Sequence, residues 1–128
     1  MSIATMDTVD LQHPPFVSVS QLASLLGRAD APLVLDVRKA EAYDAGLRLL
    51  PGALRVAPGN VESVAAFLPR DRDIVACCVH GHEVSQGAAR SLRAAGLGAA
   101  YLEHGVTGWI DAGLPTMGKV PDLSLPTA

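Results

Sequence analysis

Short apolar runs alternate with helix-spaced apolar positions along most of the chain. Residues 1–15 are mixed and polar and close at Pro14-Pro15, which predicts a flexible N-terminal arm with His13 on its surface. Phe16-Val17-Ser18-Val19 reads as a short strand, and Ser20 is suited to cap a helix whose Leu22, Leu25 and Leu26 share one face. Gly27 ends that helix. Leu33 to Arg38 is nearly continuous apolar sequence, the pattern of a strand covered on both faces in a parallel sheet. A helix from Lys39 to Ala45 ends at Gly46, and Pro51-Gly52-Ala53 turns the chain into a brief strand, Leu54-Arg55-Val56. Val61, Val64, Ala65 and Leu68 keep helical spacing up to Pro69.

Ile74 to Cys77 predicts the next strand. A helix after Ser85 then buries Ala88, Leu92 and Ala95, leaves Arg90 and Arg93 to solvent, and stops at Gly96. Ala99 to Leu102 predicts a further strand, followed by a turn at Glu103-His104-Gly105 and a core position for Trp109. Residues 117–128 contain Pro121 and Pro126 and read as a surface tail. Strands alternating with helices over residues 16–116 imply an α/β domain, a mostly parallel sheet flanked by helices on both faces.

The chain has 128 residues, 49% of them hydrophobic and 18% charged, which fits one globular domain. A net charge of −3 gives no basis for nucleic acid or an anionic membrane as partner. No stretch is apolar enough to span a bilayer, and no basic start followed by an apolar run marks a signal peptide. Two adjacent cysteines, Cys77 and Cys78, cannot build a disulfide framework, so a reducing compartment, the cytoplasm, is expected.

Chemistry concentrates in Cys78-Val79-His80-Gly81-His82-Glu83-Val84-Ser85, between the strand ending at Cys77 and the helix that follows. A thiol there faces the free N–H groups and positive dipole end of a helix, which favour an anion and hence a nucleophilic thiolate. Gly81 lets the loop curl so that successive N–H groups point inward as an anion-binding nest. Cys78 could instead simply end a buried strand as a small hydrophobe. Strand alternation sends Cys77 and Cys78 to opposite sides, and the polar residues after Cys78 favour it as the exposed one, with Cys77 packed. Asp36 and Arg38 end the Leu33 strand, where ligands gather in open α/β sheets, although a structural ion pair accounts for them equally well.

Five motifs in order resemble a single-domain rhodanese. They are Leu35-Asp36-Val37-Arg38, Glu41 to Gly46, Pro51-Gly52-Ala53, Cys78-Val79-His80-Gly81 with its Ala-rich helix, and Tyr101 to Gly105 leading through Gly108-Trp109 to Pro115. The resemblance implies a rhodanese-like fold and a sulfurtransferase. In it Cys78 takes a sulfane sulfur from thiosulfate or a persulfide, and passes it to cyanide, a cellular thiol or a protein acceptor. Residues Val79 to Ser85, with Asp36 and Arg38, would line the substrate site, and no metal or organic cofactor is implied.

Three departures qualify that reading. Glu83 stands five residues after Cys78, where the family often has Arg, and an inward carboxylate would repel thiosulfate. The Cys78–Gly96 interval is one residue longer than usual. Related phosphatases and arsenate reductases have longer loops, but they place Arg where this chain has Val84, so phosphoryl chemistry is disfavoured. The family's Gly-His-Ile-Pro-Gly-Ala turn is here Gly46 to Ala53, without the histidine and two residues longer. His80, His82 and Cys78 share one tight loop with poor tetrahedral geometry, so no metal site is expected. Either loop histidine could support a thiolate when protonated, or simply be solvated. His104 occupies a position where the family commonly has Gly. The alternative to an enzyme is a weakly active or non-catalytic module that binds a partner or senses oxidants through Cys78.

Overall fold

The computed structural model describes residues 14–119, so the readings made for His13, the rest of the arm to residue 13 and the tail from 120 lie outside the described residues. Seven strands and five α-helices follow one another in the described chain. These are β1 (Phe16–Val17), α1 (Val19–Leu26), β2 (Leu33–Asp36), α2 (Ala40–Ala45), β3 (Arg48–Leu49) and β4 (Leu54–Arg55). After a 3₁₀ turn at Pro58–Asn60 come α3 (Val61–Ala65), β5 (Ile74–Cys77), α4 (Glu83–Ala94), β6 (Ala99–Leu102), α5 (Gly105–Asp111) and β7 (Met117–Gly118). Among the described residues no helix is long and apolar enough to cross a membrane.

The main sheet has the order β1-β6-β5-β2-β4, and every pairing within it is parallel. Its central strands are covered on both faces, as the apolar runs require. On β5, Val75 and Cys77 enter one core with Val34, Leu102 and Trp109, while Ile74 and Ala76 enter the other with Leu35, Val61 and Leu92. That alternation is the two-residue period of a strand, and each fully buried Val, Leu or Ile contributes about 1.5–3 kcal/mol relative to exposure. Helices α3 and α4 cover the second core, and α1 and α5 the first.

Several boundaries differ from the sequence reading. Ser18, not Ser20, caps α1: its hydroxyl accepts from the Gln21 amide, and the Gln21 side chain accepts from the Ser18 amide. This reciprocal box outcompetes Ser20, which lies inside the helix. Helix α4 begins at Glu83 rather than after Ser85, so three residues assigned to the loop form its first turn. The turn at residues 103–105 runs directly into α5.

The long segment between Gly46 and Ala53 is also more structured than expected. Arg48 and Leu49 within it make β3, which pairs antiparallel with β7, so the tail reading fails at Met117 and Gly118. Lys119 reinforces the corner: its amine donates to the Tyr43 carbonyl at the end of α2 and lies 4.2 Å from the Tyr43 ring centroid. Trp109 also ties this end down, its indole N–H donating to the Pro115 carbonyl at 2.8 Å.

The cap assignment predicts that Ser18→Ala destabilises the domain by about 1 kcal/mol, whereas Ser20→Ala stays within about 0.5 kcal/mol of the parent. Urea denaturation of the two variants checks the difference.

Candidate functional site

The carboxyl end of β5 delivers Cys77 and Cys78 to different surroundings. Cys77 is fully buried in the core shared with Trp109, as its packing role anticipated. Burial, reinforced by the nearby Asp36 carboxylate, pushes its thiol well above the ordinary cysteine range, so it stays protonated and inert. Cys78 lies beyond the last residue of the strand and is 5% exposed. It is thus far more covered than the sequence suggested. Both cysteines are free thiols.

Cys78 Sγ is 3.1 Å from Ser85 Oγ and within hydrogen-bond reach of it. Ser85 is fully buried in the first turn of α4. The first i→i−4 bond of that helix runs from the Gln86 amide to the His82 carbonyl at 3.0 Å. The amides of Glu83, Val84 and Ser85 therefore precede the helical ladder, and no side chain caps the helix at His82. The thiol thus sits beside a helix N-terminus that is electrically positive and lacks an acceptor of its own.

The loop from Val79 to His82 is held closely against the corner between β6 and α5. Gly81 has φ +75°, and a Cβ there would lie 2.6 Å from the Leu102 carbonyl and 2.8 Å from the His104 nitrogen. Only glycine satisfies both that backbone and that approach. From the other side, the Val106 amide donates to the Cys78 carbonyl at 2.8 Å, and the Thr107 amide to the Val79 carbonyl at 3.0 Å. Gln86 adds a side-chain bond to the Gly81 carbonyl at 3.1 Å. The sequence marked Gly105 as a turn residue but carried no signal that Val106, Thr107 and Gln86 grip the loop, because those contacts depend on the placement of β6 beside β5.

The remaining predicted site residues separate into two groups. Val79 and Val84 are half-buried, and Val84 packs on the α4-side core. His80, His82 and Glu83 are exposed. The two imidazole rings lie 6.0 Å apart, and among the described residues no three His, Cys, Asp or Glu side chains are grouped to hold a metal ion. Glu83 occupies the first position of α4 and faces solvent, where a carboxylate favours the helix dipole by about 0.3–1 kcal/mol. His104 is exposed and holds φ +65°, a left-handed conformation suited to glycine, which explains the family's usual residue at that position.

Asp36 and Arg38 are one strand away but take the side of the sheet that Cys77 occupies. They form a buried forked pair, with Arg38 Nη2 2.6 Å from Asp36 Oδ2 and Nε 3.0 Å from Oδ1. Burial works to lower the Arg38 pKa, but the hydrogen bonds and charge of Asp36 outweigh it and raise the value overall. Arg38 also donates to the Arg48 carbonyl at 3.1 Å, anchoring the segment that bears β3. A cavity of about 240 Å³ lined by Leu25, Arg28, Pro32 and Asp73 lies at the opposite, amino end of the strands.

A parallel α/β sheet that delivers a thiol to the start of a helix defines a cysteine-loop domain. The pattern of the rhodanese-like domain matches residues 18–112, and the chain belongs to that family. Among solved structures it is similar to a rhodanese-related protein from Thermoplasma volcanium, at 24% identity and TM-score 0.69 over 80% of this chain and 97% of that one. It is similar to a thiosulfate sulfurtransferase from Pseudomonas aeruginosa, at 26% identity and TM-score 0.70 over 83% of this chain and 20% of that longer one. A third neighbour is a protein of unknown function, a possible tyrosine phosphatase, from Rhodopseudomonas palustris, at 23% identity and TM-score 0.71 over 81% and 85% of the two chains. No curated protein matches this chain. The neighbours confirm the fold expected from the sequence, a mostly parallel sheet with helices on both faces.

The contrast between the two cysteines predicts that iodoacetamide at pH 8 labels Cys78 alone in the folded protein, and both cysteines in denaturant; peptide mass mapping reads the sites. The buried pair predicts that Asp36→Ala costs about 3–5 kcal/mol by leaving the Arg38 charge buried without its counter-charge, measured by urea denaturation.

Proposed function

We propose that this domain is a rhodanese-type sulfurtransferase in which Cys78 carries the sulfur. The observation that carries this reading is the position of the Cys78 thiol, 3.1 Å from Ser85 Oγ in the uncapped first turn of α4. Membership of the rhodanese-like family supports the same chemistry. The Cys78 thiolate attacks the outer sulfur of thiosulfate, an S–S bond forms to Cys78, and sulfite leaves with the electron pair of the broken bond. Cyanide or a thiolate then attacks the terminal sulfur, and the Cys78 thiolate is regenerated. A persulfide of small molecules or of a protein serves equally as donor, and a protein thiol as acceptor.

Amides of the Val79–Ser85 segment stabilise the anionic persulfide, and the Ser85 hydroxyl orients the sulfur. Asp36 and Arg38 support the neighbouring strand end rather than the donor. His80 and His82 flank the mouth of the loop and supply the only positive charge its side chains can acquire. Two free thiols and the absence of a disulfide partner for either support action in the reducing cytoplasm. The heavy cover of Cys78 and the lack of a loop cation favour a second reading, a weakly active module that exchanges sulfur with one protein partner.

Thiocyanate formation from thiosulfate and cyanide tests the proposal. The parent protein turns over, Cys77→Ala retains activity and Cys78→Ala loses it. Thiocyanate from Cys78→Ala at the parental rate contradicts the assignment. Glu83→Arg restores a cation beside the donor site and lowers the KM for thiosulfate roughly three- to tenfold, at a stability cost of about 0.3–1 kcal/mol from reversing the favourable helix charge.

A further inference from the structure

The site residues account for the amides at the start of α4, but not for the grip that the β6–α5 corner exerts on the loop. No peptide bond in the described chain is cis. In a trans peptide the C=O and the following N–H point in opposite directions. The Cys78 carbonyl accepts from Val106, so the Val79 N–H of the same peptide unit points away from α5. The Val79 carbonyl accepts from Thr107, so the His80 N–H points away from α5 as well. Ser85, which Cys78 Sγ meets, belongs to α4, and α4 packs on the face of the sheet opposite α5.

Gly105 makes this arrangement sterically possible. It has φ +61°, and a Cβ on it would overlap the Cys78 and Val79 carbonyl oxygens. The two donors, Val106 and Thr107, belong to the first turn of α5, where N–H groups have no intrahelical acceptor and are available to the loop. The first bond within α5 runs from the Gly108 amide to the His104 carbonyl at 2.9 Å.

We infer that Gly105, Val106 and Thr107 are positioning residues that fix the two peptide planes after Cys78 and aim the Val79 and His80 amides at the sulfur. The inference deepens the proposed function and rests on Cys78 being the reactive centre. Its consequence is specific: the corner tunes the preference of the site for anionic reactants, without touching a reactant itself. A backbone ester in place of the Val106–Thr107 amide removes one donor and adds no atom against the loop carbonyls, whereas proline at 107 would press its Cδ onto the Val79 carbonyl. The lost N–H serves no bond within the helix.

The test compares alkylation of Cys78 by anionic iodoacetate and neutral iodoacetamide, read by peptide mass mapping in the full chain. Alkylation needs no sulfur transfer, so it stands or falls separately from the proposed activity. The ester lowers the iodoacetate-to-iodoacetamide rate ratio roughly fivefold, the equivalent of one lost amide hydrogen bond. Gly105→Ala lowers it further. A loosened loop with no electrostatic role would instead speed both reagents alike and leave the ratio unchanged. An unchanged ratio in the ester protein with native circular dichroism overturns the inference. Should that protein fail to fold, an ester in place of the Gly105–Val106 amide removes the donor to the Cys78 carbonyl instead, and an unchanged ratio there overturns it equally.

Discussion

Everything at the carboxyl edge of the sheet depends on how the chain leaves β5. A strand buried on both faces must send Cys77 into the core and then enter α4 within a few residues, without exposing the backbone it turns through. The solution is backbone against backbone. Gly81 lets the loop touch the Leu102–Gly105 segment, and the first-turn amides of α5 accept no helical role because they serve the loop carbonyls. A side chain at either glycine would force the two segments apart. The thiol is therefore placed by packing between β5 and β6, not by its own interactions, and its chemistry follows from the helix end it is left beside.

Charge is distributed around this edge with little redundancy. The Asp36–Arg38 pair is enclosed and neutralises itself, so it adds rigidity at the neighbouring strand end rather than a field at Cys78. Arg55 and Lys119 stack on the Tyr43 ring at 4.2 Å each and are occupied in joining α2, β4 and the segment after β7. Glu83 is exposed at the head of α4, where its carboxylate faces the positive end of the helix dipole. Polarity near the sulfur is left to the Ser85 hydroxyl and the first-turn amides of α4.

The sheet was readable because its signals are local. Ile74–Cys77 and Ala99–Leu102 are bounded apolar runs whose limits coincide with the observed strands. Strand alternation sent Cys77 and Cys78 to opposite sides, and the two are buried in different surroundings. Three features were hidden for physical reasons. The cap at Ser18 depended on a side-chain exchange with Gln21 that competes with the equally suitable Ser20. Strand β3 forms only because β7, some seventy residues later, returns to pair with it, and no local pattern encodes that meeting. Cys78 meets Ser85 of α4 at its sulfur and the start of α5 at its carbonyl, so exposure inferred from neighbouring polar residues was overestimated.

The central claim is that Cys78 itself becomes the sulfur carrier, and intact mass spectrometry after incubation with thiosulfate tests it most directly. The account predicts a gain of one sulfur atom, mapped to Cys78, reversed by cyanide and absent from a Cys78→Ala protein. Sulfur found on Cys77, or a gain that persists in the Cys78→Ala protein, would contradict it.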